Sequence, residues 1–136
     1  MVLHGAHVGA KAACDFDDTL GRAHVLVNLG NAQFQRGALD EAIGAYAAAL
    51  ELYRETGNPL GEAASLSNAA NVRFRQGKLE QALEQYEQAL ALHEKIGNVL
   101  GRADTLTNIG SLYARRRQGQ EALGVLGQAR TLYLDI

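Results

Sequence analysis

Cysteine, proline and an excess of charge of either sign are all scarce in this chain of 136 residues. The single cysteine, Cys14, excludes an internal disulfide framework. It fits a reducing compartment, and the cytoplasm is the expected location. Thirteen basic side chains against fifteen acidic ones leave a net charge of −2. A nucleic-acid binder would be clearly basic, so nucleic acid is not an expected partner. No apolar run approaches the roughly 18 residues of a membrane span, so no membrane contact is expected. The opening MVLHGAHVGAKAAC has no basic start followed by an apolar stretch and does not read as a secretory signal. Small residues before Cys14 are arranged as at a lipoprotein cleavage site, but Lys11 stands where an apolar residue is wanted. Nothing alternates with period two over a useful length, so strands are not expected. Apolar residues make up 47 % of the chain, too many for a disordered tail and enough for the core of one domain.

What the chain does have is a period of 40. Leu20-Gly21, Leu60-Gly61 and Leu100-Gly101 open three blocks. Within them Ala23, Ala63 and Ala103 correspond, as do Leu26, Leu66 and Leu106, and Asn28, Asn68 and Asn108. In the second half of each block Ala42, Ala82 and Ala122 correspond, followed by Ala49, Ala89 and Ala129. A fixed period of this size means a stacked array of one supersecondary unit. Such arrays present surfaces, so binding is the first functional expectation.

Each block divides into two helical patterns. Leu20 to Gln35 carries Ala23, Leu26, Leu29, Gly30 and Phe34 at helical spacing. Gly37 breaks the pattern, and Asp40 and Glu41 suit the positive start of the next helix. That helix carries Ala42, Ile43, Tyr46, Ala49, Leu50 and Tyr53, and it stops at Gly57-Asn58 before the only proline, Pro59. Block two repeats this with Gly61 to Gln76, a break at Gly77, then Leu79 to Ile96. Gly30, Ala42 and Ala49 let paired helices approach, and Tyr46 and Tyr86 fill the space beside them. In block three Arg117 replaces Gly37 and Gly77, with Gly119 two residues later, which leaves room for a reshaped turn. Leu126 stands there in place of Tyr46 and Tyr86.

The string NLGNAQFQRGALDEAIGAYAAALELY resembles a tetratricopeptide repeat, with Leu-Gly in the first helix and spaced alanines in the second. The 40-residue period with its Gly-Asn junction is similar to the longer variety in Pins-type adaptors, kinesin light chains and sensor domains of bacterial regulators. The resemblance covers residues 21–136 and implies an interaction module with no catalytic activity and no cofactor. Residues 1–20 are less regular. Val2, Ala6 and Gly9 fall in the register of Ala42, Tyr46 and Ala49, and Asp17-Asp18 in that of Gly57-Asn58. They read either as a partial-repeat capping helix or as a tail.

Motifs that suggest chemistry are weak. DFDDTLG, at Asp15 to Gly21, matches the nucleophile motif of haloacid-dehalogenase-type phosphatases, which needs a buried strand before it and a parallel sheet around it. Here helical repeats follow, and the Leu-Gly recurs by period, so the phosphatase reading is a remote alternative. His4 and His7 lack a third ligand, with His24 and His93 in other elements, and no metal site is expected. Cys14 lacks a neighbouring base and is not read as a nucleophile. Arg115-Arg116-Arg117 suits a helix C-terminus, with an acidic partner as the second reading.

The polar residues that need a reason are asparagines. Asn28, Asn68 and Asn108 recur mid-helix, with Asn31 and Asn71 one turn on, although asparagine is a mediocre helix former. The resemblance implies that Asn28, Asn68 and Asn108 line the inner surface and hold the backbone of an extended peptide, since an amide both donates and accepts. The other reading has them hydrogen-bond between neighbouring helices. Phe34 and Phe74 are either displaced core aromatics or apolar anchors of the groove, and Arg75 and Arg115 favour a partner with a carboxylate. At the far end Val125, Leu126, Leu134 and Ile136 are apolar where a terminal repeat wants polarity, which predicts self-association.

The expected fold is all-α, a right-handed solenoid of three helix-turn-helix repeats (21–60, 61–100 and 101–136). The expected function is an adaptor binding an extended, acidic peptide or protein segment in its concave groove. The alternative is a structural module that forms a homo-oligomer through its C-terminal helix.

Overall fold

The computed structural model describes the backbone from Val2 to Ile136 and the side chains from Asp18 onward. Six helices follow one another: α1 (Val2–Gln35), α2 (Leu39–Glu55), α3 (Pro59–Arg75), α4 (Leu79–Ile96), α5 (Val99–Arg115) and α6 (Gly119–Asp135). No strand occurs among the described residues. Helices pair as α1/α2, α3/α4 and α5/α6, and the pairs stack through α2 on α3 and α4 on α5. The result is an all-α repeat solenoid. Helices α1, α3 and α5 are the first helices of the three repeats; α2, α4 and α6 are the second.

The junctions between repeats do two jobs with two residues. Gly57 and Gly97 take φ of +62° and +72°, which ends the preceding helix. Asn58 and Asn98 then start the next one: each side-chain oxygen accepts from the backbone N–H three residues on, of Gly61 at 3.0 Å and of Gly101 at 3.1 Å. Pro59 occupies the first turn of α3, where its missing N–H costs nothing. Positions 17–18 stand in the same register but hold aspartates, and α1 continues through them without a turn. The side chains of Val2, Ala6 and Gly9, used above to place residues 1–20, lie outside the described residues.

Within each repeat the turn also needs left-handed backbone. Gly37 and Gly77 supply it, at φ +80° and +81°. The turn of repeat three keeps that shape rather than changing it, contrary to the expectation from Arg117 and Gly119. Arg117 takes φ +61°, and its N–H and that of Gln118 bond back to Ala114 and Tyr113 as Gly37 and Ala38 do to Phe34 and Gln33. Packing of α5 on α6 fixes the turn, and a non-glycine residue bears about 1–2 kcal/mol of backbone strain there.

Small residues set how close the helices come. Ala23, Ala42, Ala49, Ala63, Ala70, Ala82, Ala89 and Ala103 are fully buried. A Cβ added to Gly30 would lie 2.7 Å from the Tyr46 ring, so glycine is what admits that tyrosine to the core. Tyr46 joins Ala42, Ala69 and Val72 across the first junction, and Tyr86 joins Ala70, Ala82, Ile109 and Leu112 across the second. Burying each such side chain is worth roughly 1.5–3 kcal/mol, so neighbouring repeats hold one another by many modest contacts.

Candidate functional site

Spacing of four, three and four places residues in one stripe along a helix. On α5 that stripe is Asp104, Asn108, Ser111 and Arg115; on α3 it is Ala64, Asn68, Asn71 and Arg75. On α1 the same register holds His24, Asn28, Asn31 and Gln35. Two open grooves run over the α3 and α5 stripes. One, of about 450 Å³, is lined by Phe34, Asn71, Phe74, Arg75, Asn108 and Arg115, among others. The other, of about 320 Å³, is lined by Ser67, Asn68, Asn71, His93, Asp104 and Asn108, among others. They share Asn71 and Asn108 and so form one valley between α3 and α5.

The asparagines divide into two sets. Asn31 accepts from the Tyr46 hydroxyl at 2.5 Å, and Asn71 accepts from the Tyr86 hydroxyl. Each pair joins the first helix of a repeat to its second and satisfies a phenol whose ring is in the core. Burial pushes the Tyr46 phenol above its usual range and that of Tyr86 up to about 12, so both stay protonated donors at neutral pH. With its oxygen engaged, each amide keeps its NH₂ as a donor. Asn28, Asn68 and Asn108 make no side-chain hydrogen bond among the described residues. Asn28 is exposed, and Asn68 and Asn108 are half-buried. The interhelical role considered for the whole ladder thus belongs to Asn31 and Asn71. Ser67 adds a buried hydroxyl oxygen without a partner to the same valley.

Phe34 and Phe74 are both core and groove. Each is half-buried against its repeat's core cluster, and each turns a face to the groove. Over that face lies an arginine from the following repeat. The guanidinium of Arg75 is 5.0 Å from the Phe34 ring centre, and that of Arg115 is 4.9 Å from Phe74. The same guanidiniums donate to the backbone oxygens of Phe34 at 3.4 Å and Phe74 at 2.6 Å. These carbonyls lie in the last turns of α1 and α3, where the helix dipole is negative and a cation is favoured. Arg75 and Arg115 therefore tie adjacent repeats together, and their remaining N–H groups line the groove.

Two groups at the other end of the valley carry no obvious signal in the sequence. His93 is buried at the end of α4, its Nδ1 3.2 Å from Asn98 Nδ2. Burial lowers its pKa, and the attraction of Asp104 only partly opposes this. Asp104 is exposed and accepts from the Tyr133 hydroxyl of α6. Only comparison with His24 and Ala64 marks Asp104 as peculiar to the third repeat.

The residues expected at the C-terminal end are not all alike. Leu126 packs against Gly110 and is partly exposed, Leu134 and Ile136 are 74 % and 69 % exposed, and Val125 packs inward on the α4/α5 core. Leu123 of α6 is 69 % exposed as well. His4, His7, Cys14 and the Asp15 to Asp17 part of the phosphatase-like motif lie outside the described residues. Among the described residues no three His, Cys, Asp or Glu side chains come together as a metal site. No described helix is long and apolar enough to cross a membrane.

The family model described as "Tetratricopeptide repeat" matches residues 21–95 and again 61–135. No curated protein matches the sequence. Among solved structures, the crystal structure of BtubC (BKLC) from P. vanneervenii is similar, with a TM-score of 0.77 at 20 % identity. The match covers 83 % of this chain and 47 % of that one, so the chain spans about half the length of that protein. At this identity the likeness is one of fold.

Proposed function

The chain belongs to the tetratricopeptide repeat family, and on that premise we propose that it is an adaptor that holds an extended peptide segment on its concave face. Repeats of this family are generally protein–protein interaction modules, and the fold is typically non-catalytic. The observation that carries the finer reading is the row of Asn28, Asn68 and Asn108: three amides without side-chain partners among the described residues, one per repeat, with Asn68 and Asn108 lining the grooves and Asn28 exposed at the same register of α1. An amide that donates and accepts suits a peptide bond of any sequence. Arg75 and Arg115, pinned at one edge of the row, supply charge-assisted donors for an acidic side chain.

Selection from a peptide library, counter-screened against the triple variant Asn28→Ala, Asn68→Ala, Asn108→Ala, tests this. Three lost hydrogen bonds at roughly 0.5–1.5 kcal/mol each amount to a loss of affinity of about 10- to 2000-fold. Alanine is the better helix former, so helicity and thermal midpoint should hold or rise. A variant that loses helicity would show that the row is structural, and one that binds as well as the parent would remove the reading.

A second reading rests on Leu123, Leu134 and Ile136, which leave α6 with exposed apolar surface. It makes the chain a self-associating module through that helix. Light scattering that shows a monomer across a wide concentration range would end it.

A further inference from the structure

The valley between α3 and α5 has two poles. Among the residues lining its larger groove, Arg75 and Arg115 are the charged ones. In the adjoining groove the one carboxylate is Asp104, beside the buried His93. Asp104 and Arg115 are eleven residues apart on α5, roughly 16 Å along its axis. Asn108 lies between them, one turn from Asp104 and two turns from Arg115. Both poles are held in place: Arg115 by the Phe74 ring and carbonyl, Asp104 by the Tyr133 hydroxyl. Among the described residues His93 is the other titratable side chain that lines the Asp104 end, and burial disfavours a proton on its ring.

An extended chain lying across the helices on the asparagine row would have these poles on its two sides. Successive side chains of an extended segment point to opposite faces. One residue then faces Arg115 and Arg75, and its immediate neighbour faces Asp104. We propose that, where the segment crosses repeat three, the groove recognises an acidic and a basic residue of the partner at odd spacing, adjacent in the favoured case, the acid toward Arg75 and Arg115 and the base toward Asp104. This rests on the asparagine-row reading of the groove and adds to it a charge order. Even spacing, acid–x–base, puts both side chains on one edge and leaves one pole without its opposite charge.

The test uses the full chain and a random linear peptide library, selected on the parent and on two variants. Asp104→Lys reverses the pole. Asp104→Asn removes its charge while keeping an acceptor for Tyr133, so a change seen with both is not a loss of that hydrogen bond. Parent-selected peptides should carry an acid beside a base. Selection on Asp104→Lys should keep dependence on the asparagines and exchange the base for a second acid. A resynthesised parent-selected peptide should lose about two- to fivefold in affinity on Asp104→Asn, as for a partly exposed ion pair, and a similar factor when one residue is inserted between its acid and base. Asparagine-dependent peptides with acids alone, or with acid and base at even spacing as often as odd, would overturn the charge order and leave the groove reading standing. No asparagine-dependent enrichment from folded protein would overturn both.

Discussion

Repeats one and two share a device that repeat three lacks. In the first two, a tyrosine of the second helix enters the core and gives its hydroxyl proton to an asparagine of the first, Tyr46 to Asn31 and Tyr86 to Asn71. In repeat three the two positions hold Leu126 and Ser111. The serine bonds to its own helix, at Thr107 O, and the leucine needs no acceptor. Both members change together because a buried phenol without an acceptor is costly, and an acceptor without its phenol has nothing to do there. The neighbourhood differs as well: Tyr46 and Tyr86 have a following repeat packed over them, whereas Leu126 remains partly exposed. The polar clamp lies within a repeat and is found where a following repeat packs over the tyrosine and burial makes an unpaired phenol expensive.

The sharpest way to break this contrast is to truncate both positions. Tyr86→Ala should destabilise by roughly 3–5 kcal/mol, as for other buried aromatics, while Leu126→Ala costs less because its site is partly open. Denaturant midpoints at constant m-value read both. Changing repeat two into repeat three refines the point. Tyr86→Leu and Asn71→Ser should together cost about 1 kcal/mol less than the sum of the single changes, and strict additivity would mean the pair is not coupled. The phenol also has a signature in alkali. Its folded pKa of about 12 lies above the ordinary 10, so its contribution is complete below pH 10 and is lost as pH rises toward 12. Phenolate absorbance should show a late-titrating tyrosine that disappears in Tyr86→Phe.

A smaller effect contrasts the second helices at one position, where Tyr53 and Tyr133 flank His93 in sequence register. The folded pKa of His93 is lowered from 6.5. Its contribution to stability is then full above pH 6.5 and is lost as pH falls below that value. His93→Tyr should make stability nearly level across that range, and an unchanged acid loss would assign it to other groups. The smallest effect is at the turns. Arg117→Gly relieves left-handed strain of about 1–2 kcal/mol against a loss from greater unfolded-chain freedom, for a net gain near 0.5–1 kcal/mol. A lowered thermal midpoint would show that the arginine side chain contributes more than its backbone costs.

Much of this architecture is legible in the sequence because it repeats. The 40-residue period, the glycine breaks and the Gly-Asn junctions place α2 and α3 to within about two residues at each end, and α4 is the Leu79–Ile96 that the spacing predicts. The start of α1 is not legible, since residues before Leu20 lack the period. The asparagine row is visible as a row, but not its division. Nothing in the spacing of Asn28 and Asn31 tells which faces a tyrosine fifteen residues on, because that depends on how α2 packs. Arg75 and Arg115 read as charge for a ligand. Their places over Phe34 and Phe74 depend on contacts 41 residues apart, which a one-repeat pattern does not show. Arg117 shows the limit from the other side: local preference argued for a new turn, and tertiary packing kept the old one.

The Phe–Arg rungs give the arc a mechanical property. Each guanidinium that faces the groove is also a rivet between one repeat and the next, seated on a ring and a carbonyl of the repeat before it. The same two side chains thus border the groove and bridge neighbouring repeats. A guest that draws Arg75 or Arg115 off its phenylalanine gives up about 0.5–1 kcal/mol of cation–π attraction and loosens the joint. A guest that uses only the outward N–H groups leaves the rivet in place and finds the arc already bent to receive it.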